Sequence, residues 1–424
     1  MTTATGTNVV DVLRARGFVA QVSDEDALRR AFDSGRVTLY QGFDPTASSL
    51  HTGHLVGIMA LAHVQALGHR PIAVIGGGTG MIGDPTDRAS ERPMLAIDEI
   101  HRNLAGIRQH FSRYLDFSND RALMVDNADW LLSLKWIEFL RDVGRHFTVN
   151  QLMQHGTYWE RFQDGSFSFI ELNYALVQAY DFLHLYRAYG CILQIGGNDQ
   201  WFNILAGRDL IRRAEGAEAF ALTMPLITTS SGQKMSKSAG NAPWLDASQT
   251  SPYEYYQYWR NTEDADVARY LRMFTFLSLA EIAEYERLSG AELNRAKEVL
   301  AFEATKITHG EEEAHKAQQT TKVRFGTADM TASATLTATG FESDGEGHVI
   351  DSGPSVVVRA PTRLSDLAVQ AGLVDSRNAA KRHLQSGALK LDDVAQTTDR
   401  IVDPNELPKL LSLGKRKVRL TAES

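Results

Sequence analysis

The chain has 424 residues, 43% hydrophobic and 23% charged, which suits two large units and one small one and excludes a disordered, collagen-like or coiled-coil protein. Cys191 is the only cysteine, which excludes an internal disulfide and a cysteine-based zinc site and fits a reducing, cytoplasmic setting. The net charge of −8 argues against a nucleic-acid partner except at the end of the chain, where residues 363–424 hold 11 Lys or Arg against 8 Asp or Glu and leave −11 for the rest.

No basic segment leads into a long apolar run, and no stretch approaches the roughly 18 apolar residues of a membrane helix. Neither secretion nor a membrane partner is expected. Val9, Val12 and Leu13 predict a first short helix before Gly17, and Ser23 with Asp26 predicts the cap of a second carrying Leu28, Ala31 and Phe32. Residues 37–40 read as a strand, 55–67 as a largely buried helix ending at Gly68, and 71–75 as another strand, together a βαβ unit. Further strands over 123–125, 191–195 and 221–225 alternate with helices, one of which spans 168–186 and opens with Ser168 and Glu171 as a capping box. This alternation predicts an α/β fold, a Rossmann-type parallel sheet covered on both faces, over residues 1–245.

From Pro252 the pattern is helical, with Tyr253, Tyr256, Tyr270, Met273 and Phe274 on buried faces, which predicts a helical domain over 246–325. Residues 326–361, rich in Thr, Ala, Ser and Gly, read mostly as a linker, although 356–358 can pair as a short strand. A small α+β domain is expected over 362–424, with one helix over about 376–384 and strand-like alternation at 389–391.

Two strings carry chemistry. His51-Thr52-Gly53-His54 lies between a strand and the start of a helix, where unpaired N–H groups, the positive end of the helix dipole and imidazole donors suit a nucleotide triphosphate. Lys234-Met235-Ser236-Lys237-Ser238 follows Gly232 in a polar stretch, and two ammonium groups three positions apart suit the charge that grows on a leaving pyrophosphate. Taken singly, two histidines are more often packing residues and a lysine-rich loop is ordinarily just solvated. Their co-occurrence in this order, about 180 residues apart, favours the chemical reading. Gly78-Thr79-Gly80-Met81-Ile82-Gly83 matches GxGxxG and by itself suggests a dinucleotide-dependent dehydrogenase. That reading is disfavoured because Asp84-Pro85 continues a turn where a helix should open, and no second strand presents an acidic residue about 20 positions on.

The two strings resemble the signature pair of class I aminoacyl-tRNA synthetases, and residues 40–55, 76–92, 172–201 and 222–238 resemble bacterial tyrosyl-tRNA synthetases, a likeness that runs through the whole chain. The resemblance implies a Rossmann-type catalytic domain, a helical domain and a small RNA-binding domain of the ribosomal-protein S4 type. It implies activation of tyrosine by ATP with Mg²⁺, transfer to tRNA(Tyr), a homodimer, and no metal held by protein ligands. By motif, Tyr40 and Asp181 would meet the phenol of bound tyrosine, with Asp84, Tyr174 and Gln178 at its amino group, Gln194 beside them and Asn127 more peripheral. Tyr174, Gln178 and Asp181 fall on one helix face, and Gln and Asp are poor core residues.

For ATP the resemblance assigns His51, Gly53 and His54 to the phosphates and ribose side, with Asp44 also an ATP-binding position. It assigns Gly197 and Asp199 to the ribose, Gln200 to the polar network, Leu226 and Ile227 to adenine, and Arg88 and Arg92 to pyrophosphate with Lys234 and Lys237. Family members often carry Lys where Arg88 stands, which keeps charge but changes donor geometry. Gln41 and Gly57, at variable positions, carry no assigned role. The roughly 100 residues between the Gly76 loop and the Gln194 strand are filled by recognisable elements, leaving no room for a large editing domain.

In the tail, Arg377, Lys381 and Arg382 lie along one helix and Lys415-Arg416-Lys417 forms a second basic cluster, both expected at tRNA phosphates. Without the catalytic strings they would read as a solvated helix and tail. Two rival readings are a tryptophanyl-tRNA synthetase, against which Tyr40 and Asp181 favour a phenol over an indole, and a noncatalytic RNA-binding protein on a synthetase scaffold.

Overall fold

The computed structural model describes residues 8–45, 49–84, 103, 106–153, 156–227, 242–325, 342–343, 349–350, 355–358, 361–374, 377–392, 394–407, 409–413 and 416–422. They fall into two compact units, Met1–Thr320 and Thr321–Ser424.

The first unit is built on six strands: β1 Gln21–Val22, β2 Thr38–Phe43, β3 Arg70–Ile75, β4 Leu123–Asp126, β5 Cys191–Gly197 and β6 Phe220–Met224. Their order is β1-β6-β5-β2-β3-β4. Strands β2 to β6 are parallel, and β1 adds an antiparallel edge on β6. From β2 the chain winds one way through β3 and β4 and the other way through β5 and β6, so the order reverses between β2 and β5. Open α/β sheets bind ligands outside the carboxyl ends of the strands at such a reversal.

Burial on both faces is written into the central strands as near-continuous apolar runs. Every residue of β3 after Arg70 is buried. Alternation then divides them: Leu39, Phe43, Ala73, Ile75, Leu193 and Ile195 enter one core, while Tyr40, Ile72 and Val74 enter the other, joined by Cys191 because the pairing of β2 with β5 shifts register between Thr38 and Leu39. Strands β2 and β5 run beyond the predicted ends at Tyr40 and Ile195, through Gln41-Gly42 and Gly196-Gly197. These residues have little strand propensity; pairing with β3 and β6 holds them.

Helix α1 is Val9–Ala15, α2 Glu25–Ser34, α3 Leu55–Ala66, α4 Phe169–Tyr189 and α5 Trp201–Glu215. Residues Leu55 to Gln65 of α3 are all buried, as an all-round apolar helix must be. The capping box of Ser168 and Glu171 opens α4, and Gly190, with φ 64, closes it. The predicted cap of α2 is corrected: Asp24, not Ser23, accepts the Ala27 N–H at 3.0 Å. Ser23 is held by the sheet edge, its N–H donating to the Ala221 carbonyl and its hydroxyl accepting the Ala221 N–H, each at 3.0 Å. The chain turns into the helix one residue later.

Helices Pro252–Arg260, Val267–Phe274, Leu279–Tyr285, Leu293–His309 and Glu311–Phe325 follow. Trp259 is fully buried, with Tyr255, Tyr270 and Phe274 rings 5.0–6.1 Å away. This helical section shares one apolar core with α3 and one face of the sheet. Buried Arg16 strengthens the join, donating to the carbonyls of Arg272, Thr275 and Leu277 at 3.0, 3.2 and 2.7 Å, the first two at a helix end that leaves carbonyls without internal partners.

In the second unit β7 Glu342–Ser343 pairs β8 Val349–Ile350, and β10 Thr362–Arg363 pairs β13 Ile401–Val402. Its main sheet has the order β12-β11-β14-β15-β9, from β9 Ser355–Val358, β11 Leu389–Leu391, β12 Val394–Ala395, β14 Lys409–Leu413 and β15 Arg416–Ala422. Helices Leu364–Gln370 and Arg377–Gln385 share a core with it that includes Leu367, Leu384, Leu411 and Leu420. The short strand read at 356–358 is β9, which runs parallel to β15 and buries Val358; β7 and β8 also fall within 326–361, most of which reads as linker.

Candidate active site

Strands β2 and β5 bring Tyr40 and Gln194 into register as direct partners. Both side chains are buried, and neither the Tyr40 hydroxyl nor Gln194 Oε1 has a hydrogen-bond partner among the described residues. A buried polar atom left alone costs about 1–3 kcal/mol. Two such atoms at the sheet's reversal point are ones that a polar occupant would satisfy.

Asp181, on α4, is 4% exposed and close enough for its charge to act on the Tyr40 phenol. Trp130 Nε1 donates to its Oδ1 at 2.7 Å, and Asn127 Nδ2 donates to its Oδ2 at 2.9 Å. Burial nonetheless pushes its carboxyl up to about 7, with the two bonds opposing the rise. Burial, then the charge of Asp181, raises the Tyr40 phenol well above its ordinary value. Tyr40 therefore keeps its proton and acts as a donor, while Asp181 acts as an acceptor once ionised.

Asn127, read from the sequence as peripheral, is 1% exposed and central to this arrangement. The Gly78 and Thr79 N–H groups donate to its Oδ1 at 2.8 and 3.4 Å, and its Nδ2 also donates to Thr79 Oγ1 at 3.0 Å. A side chain on Gly78 would come within 2.9 Å of Leu131 and 3.3 Å of Asn127 Oδ1. The GxGxxG stretch thus holds an asparagine and forms a single 3₁₀ turn, Thr79–Met81. Trp130 was missed because nothing in its local sequence distinguishes a ligand of Asp181 from a core indole. Its indole also stacks on His184, with centroids 4.3 Å apart and planes at 13°.

A second polar group lies on α4 and the turn after β5. Gln200 Nε2 donates to Asp84 Oδ2 at 2.7 Å, and Gln178 Nε2 donates to Gln200 Oε1 at 3.2 Å. Asp84 and Tyr174 are buried, and Gln178 Oε1 is buried without a partner among the described residues. The predicted trio Tyr174, Gln178 and Asp181 does share one face of α4.

The histidine turn precedes α3. His51 has extended backbone and caps the 3₁₀ turn Thr52–His54. The Gly53 N–H donates to His51 Nδ1 at 3.1 Å and the His51 N–H to His54 Nδ1 at 3.2 Å, with ring centroids 4.0 Å apart. Each Nδ1 is an acceptor, so the ring proton of each neutral imidazole sits on Nε2. Burial, then neighbouring His51, lowers His54 to about 3. At neutral pH it is an uncharged donor.

Other predicted positions gather at the same strand ends. A side chain on Gly197 would meet Asp199 Oδ1 at 2.4 Å and Leu226 Cδ2 at 3.3 Å, and one on Gly76 would meet Asp44 Oδ1 at 3.1 Å. Ile227 is buried and Leu226 is 37% exposed. The carboxamide of Gln41 lies across Gly57, within 2.2 Å of where a Cβ would stand. Arg88, Arg92, Lys234 and Lys237 lie outside the described residues. Among the described residues no group of three or more His, Cys, Asp or Glu side chains is disposed to hold a metal ion, and no helix is long and apolar enough to cross a membrane.

In the second unit Lys381 and Arg382 are exposed, while Arg377 pairs with Asp366. The backbone of Arg416 and Lys417 lies in β15, opposite Leu413 and Ser412. Lys415 is outside the described residues.

The family model of class I tRNA synthetases (W and Y) matches residues 33–326. A tyrosine–tRNA ligase of Desulfosudis oleivorans is 48% identical over 422 residues, covering 97% of this chain and 98% of its own. One from Acetivibrio thermocellus is 45% identical over 415 residues, covering 96% and 98%. The C-terminally truncated mitochondrial tyrosyl-tRNA synthetase of Aspergillus nidulans superposes with a TM-score of 0.68 at 29% identity, covering 76% of this chain and 95% of its own. The chain belongs to the class I tRNA synthetases, and within them to the bacterial tyrosine–tRNA ligase family.

The raised Asp181 has a consequence for stability. In the folded state it holds its proton up to about pH 7, whereas an unfolded aspartate releases it near pH 4. Between about pH 4 and about pH 7 the folded state binds more protons, so this group's contribution to stability falls as pH rises. Half-buried His54 and buried His63, both lowered to about 3, act in the opposite direction. The difference between variant and wild type isolates Asp181. The urea midpoint of Asp181→Asn, relative to wild type, should climb across this window; a constant difference would show that Asp181 does not titrate there.

Proposed function

We infer that the chain is a working tyrosine–tRNA ligase, which activates L-tyrosine with ATP and passes it to the 3′ end of tRNA(Tyr). The observation that carries this reading is the buried Tyr40 hydroxyl across from Asp181. A phenol bound there accepts from one and donates to the other, and a phenylalanine ring leaves both without partners. An indole offers a donor and no acceptor, which disfavours tryptophan.

The substrate ammonium fits Asp84, Gln178 and Tyr174, where a carboxylate and oxygen acceptors converge. Its carboxylate attacks the α-phosphorus of ATP, forming tyrosyl-adenylate as pyrophosphate leaves; a terminal ribose hydroxyl of tRNA then takes the tyrosyl group and AMP departs. No side chain need become a covalent nucleophile, so rate comes from positioning and charge stabilisation. The Nε2–H groups of His51 and His54 donate to phosphate oxygens beside the start of α3. Lys234, Lys237, Arg88 and Arg92 complete the proposed pyrophosphate site, with Asp44, Gly53, Gly197, Asp199, Gln200, Leu226 and Ile227 about the nucleoside. Mg²⁺ enters with ATP.

For tRNA we assign Arg377, Lys381, Arg382 and the Lys415-Arg416-Lys417 cluster to phosphates. A single buried cysteine is consistent with work in the cytoplasm. A homodimer is supported by an apolar surface between residues 132 and 170, where Ile137, Phe169, Leu132 and Val149 are 61–74% exposed and Trp136 stands 6.4 Å from Phe169. Exposed apolar groups at that density mark an interface.

Three measurements test this reading. Pyrophosphate exchange into ATP should depend on tyrosine alone among the amino acids, and Tyr40→Phe and Asp181→Ala should each lower the kcat/KM preference for tyrosine over phenylalanine by about tenfold or more. An unchanged ratio in both variants would misplace the pocket. Ending the chain near Arg324, just past the first compact unit, should spare exchange, cut tRNA charging by at least ~10-fold and flatten the salt dependence of tRNA binding; full charging across the salt range would remove the tail from tRNA recognition. Ile137→Asp should shift the sedimenting species from dimer to monomer at micromolar concentration, and an unaltered dimer would place the interface elsewhere.

A further inference from the structure

Residues 243–245 pair directly with the histidine turn. Thr52 N–H donates to the Pro243 carbonyl at 3.0 Å and Leu245 N–H to the Leu50 carbonyl at 2.8 Å, which makes His51 and Trp244 partners in an antiparallel bridge. Across it the Trp244 indole meets the His51 imidazole near edge-on, with centroids 5.9 Å apart and planes at 71°. The bridge is braced on both sides. Leu50 and Leu245 are buried in the main core at 1% and 3% exposure, and the Trp244 N–H donates to Thr250 Oγ1 at 3.0 Å.

His51 is only partly buried and stands on extended backbone, and the Gly53 bond to Nδ1 fixes its tautomer. The Trp244 ring closes one side and His54, 4.0 Å away, the other. Nothing in residues 243–245 resembles a catalytic motif, and the sequence assigned Trp244 no role.

We propose that Trp244 is a positioning residue for ATP: it acts through His51, holding the imidazole so that Nε2–H is aimed at a phosphate oxygen. This rests on the reading that His51 donates to the nucleotide. Displacing a reacting partner by about 1 Å can cost ~100-fold in rate. The bridge itself is made by backbone groups, so removing the indole leaves it in place. The loss therefore falls on the ATP step and spares tyrosine binding.

The test is a double-variant cycle in the full-length protein, read by pre-steady-state adenylate formation, with tyrosine affinity and unfolding midpoint as companions. Trp244→Ala should slow adenylate formation ~10–100-fold, leave the tyrosine Kd within about twofold, and be largely reversed in Trp244→Phe, which keeps a ring. Added to His51→Ala, it should cost little more, because residues acting as one unit are non-additive. Independent, multiplying losses would overturn the proposal, as would an unaltered rate. Should Trp244→Ala not fold, Trp244→Leu carries the same expectations; if neither folds while Trp244→Phe does, Trp244 is a packing residue and the proposal fails. A wild-type protein inactive with tyrosine would sink the functional reading as well, whereas an active wild type matched by Trp244→Ala would sink this inference alone.

Discussion

A carboxyl group buried beside apolar walls has to be held by donors, and the centre of this molecule is arranged around the two that hold Asp181. One is the Trp130 indole, the other the Asn127 carboxamide, and each reaches a different oxygen. Because Asn127 is itself held by the Gly78 and Thr79 amides, the position of the acid on α4 is set by the loop after β3 and the turn after β4. Several strand ends are thereby locked to one helix face. The glycines follow from that demand: at 77 a side chain would collide with Asp126, and at 78 with Leu131. A stretch resembling a dinucleotide fingerprint is instead the mould for one asparagine.

The opposite side of the sheet is governed by a different need. The imidazoles of the histidine turn are tied by backbone N–H groups at Nδ1, so the same bonds that cap the turn choose the tautomer. That turn stands at the front of a helix buried from Leu55 to Gln65. The helical section packs into the core that α3 shares, and Arg16 ties it to the N-terminal helix. That section thus supports the histidine turn from behind.

Much of this was legible in the chain. The apolar runs at 71–75 and 191–195 announced central strands because burial on both faces permits almost no polar residue there, and the Ser168–Glu171 box announced α4 because capping is local chemistry. The histidine and lysine strings, with Tyr40 and Asp181, were readable through a family likeness. What escaped were features created only by tertiary pairing. The short edge strand β1 exists because β6 offers a free edge, and that edge took Ser23 from the cap it was expected to form. Asn127 and Trp130 look like any polar and aromatic pair until β4 brings them against α4. Likewise, propensity alone could not carry β2 through Gln41 and Gly42, where the ladder to β3 does.

The contact between Gln41 and Gly57 sets a rule for how this site changes over generations. Both positions lacked an assigned role, yet the carboxamide of one fills the space a side chain on the other would need. A larger residue at 57 requires the carboxamide of Gln41, the far end of a flexible side chain, to swing aside or give way to a shorter one. Change at 57 is therefore coupled to the length and rotamer of the side chain at 41.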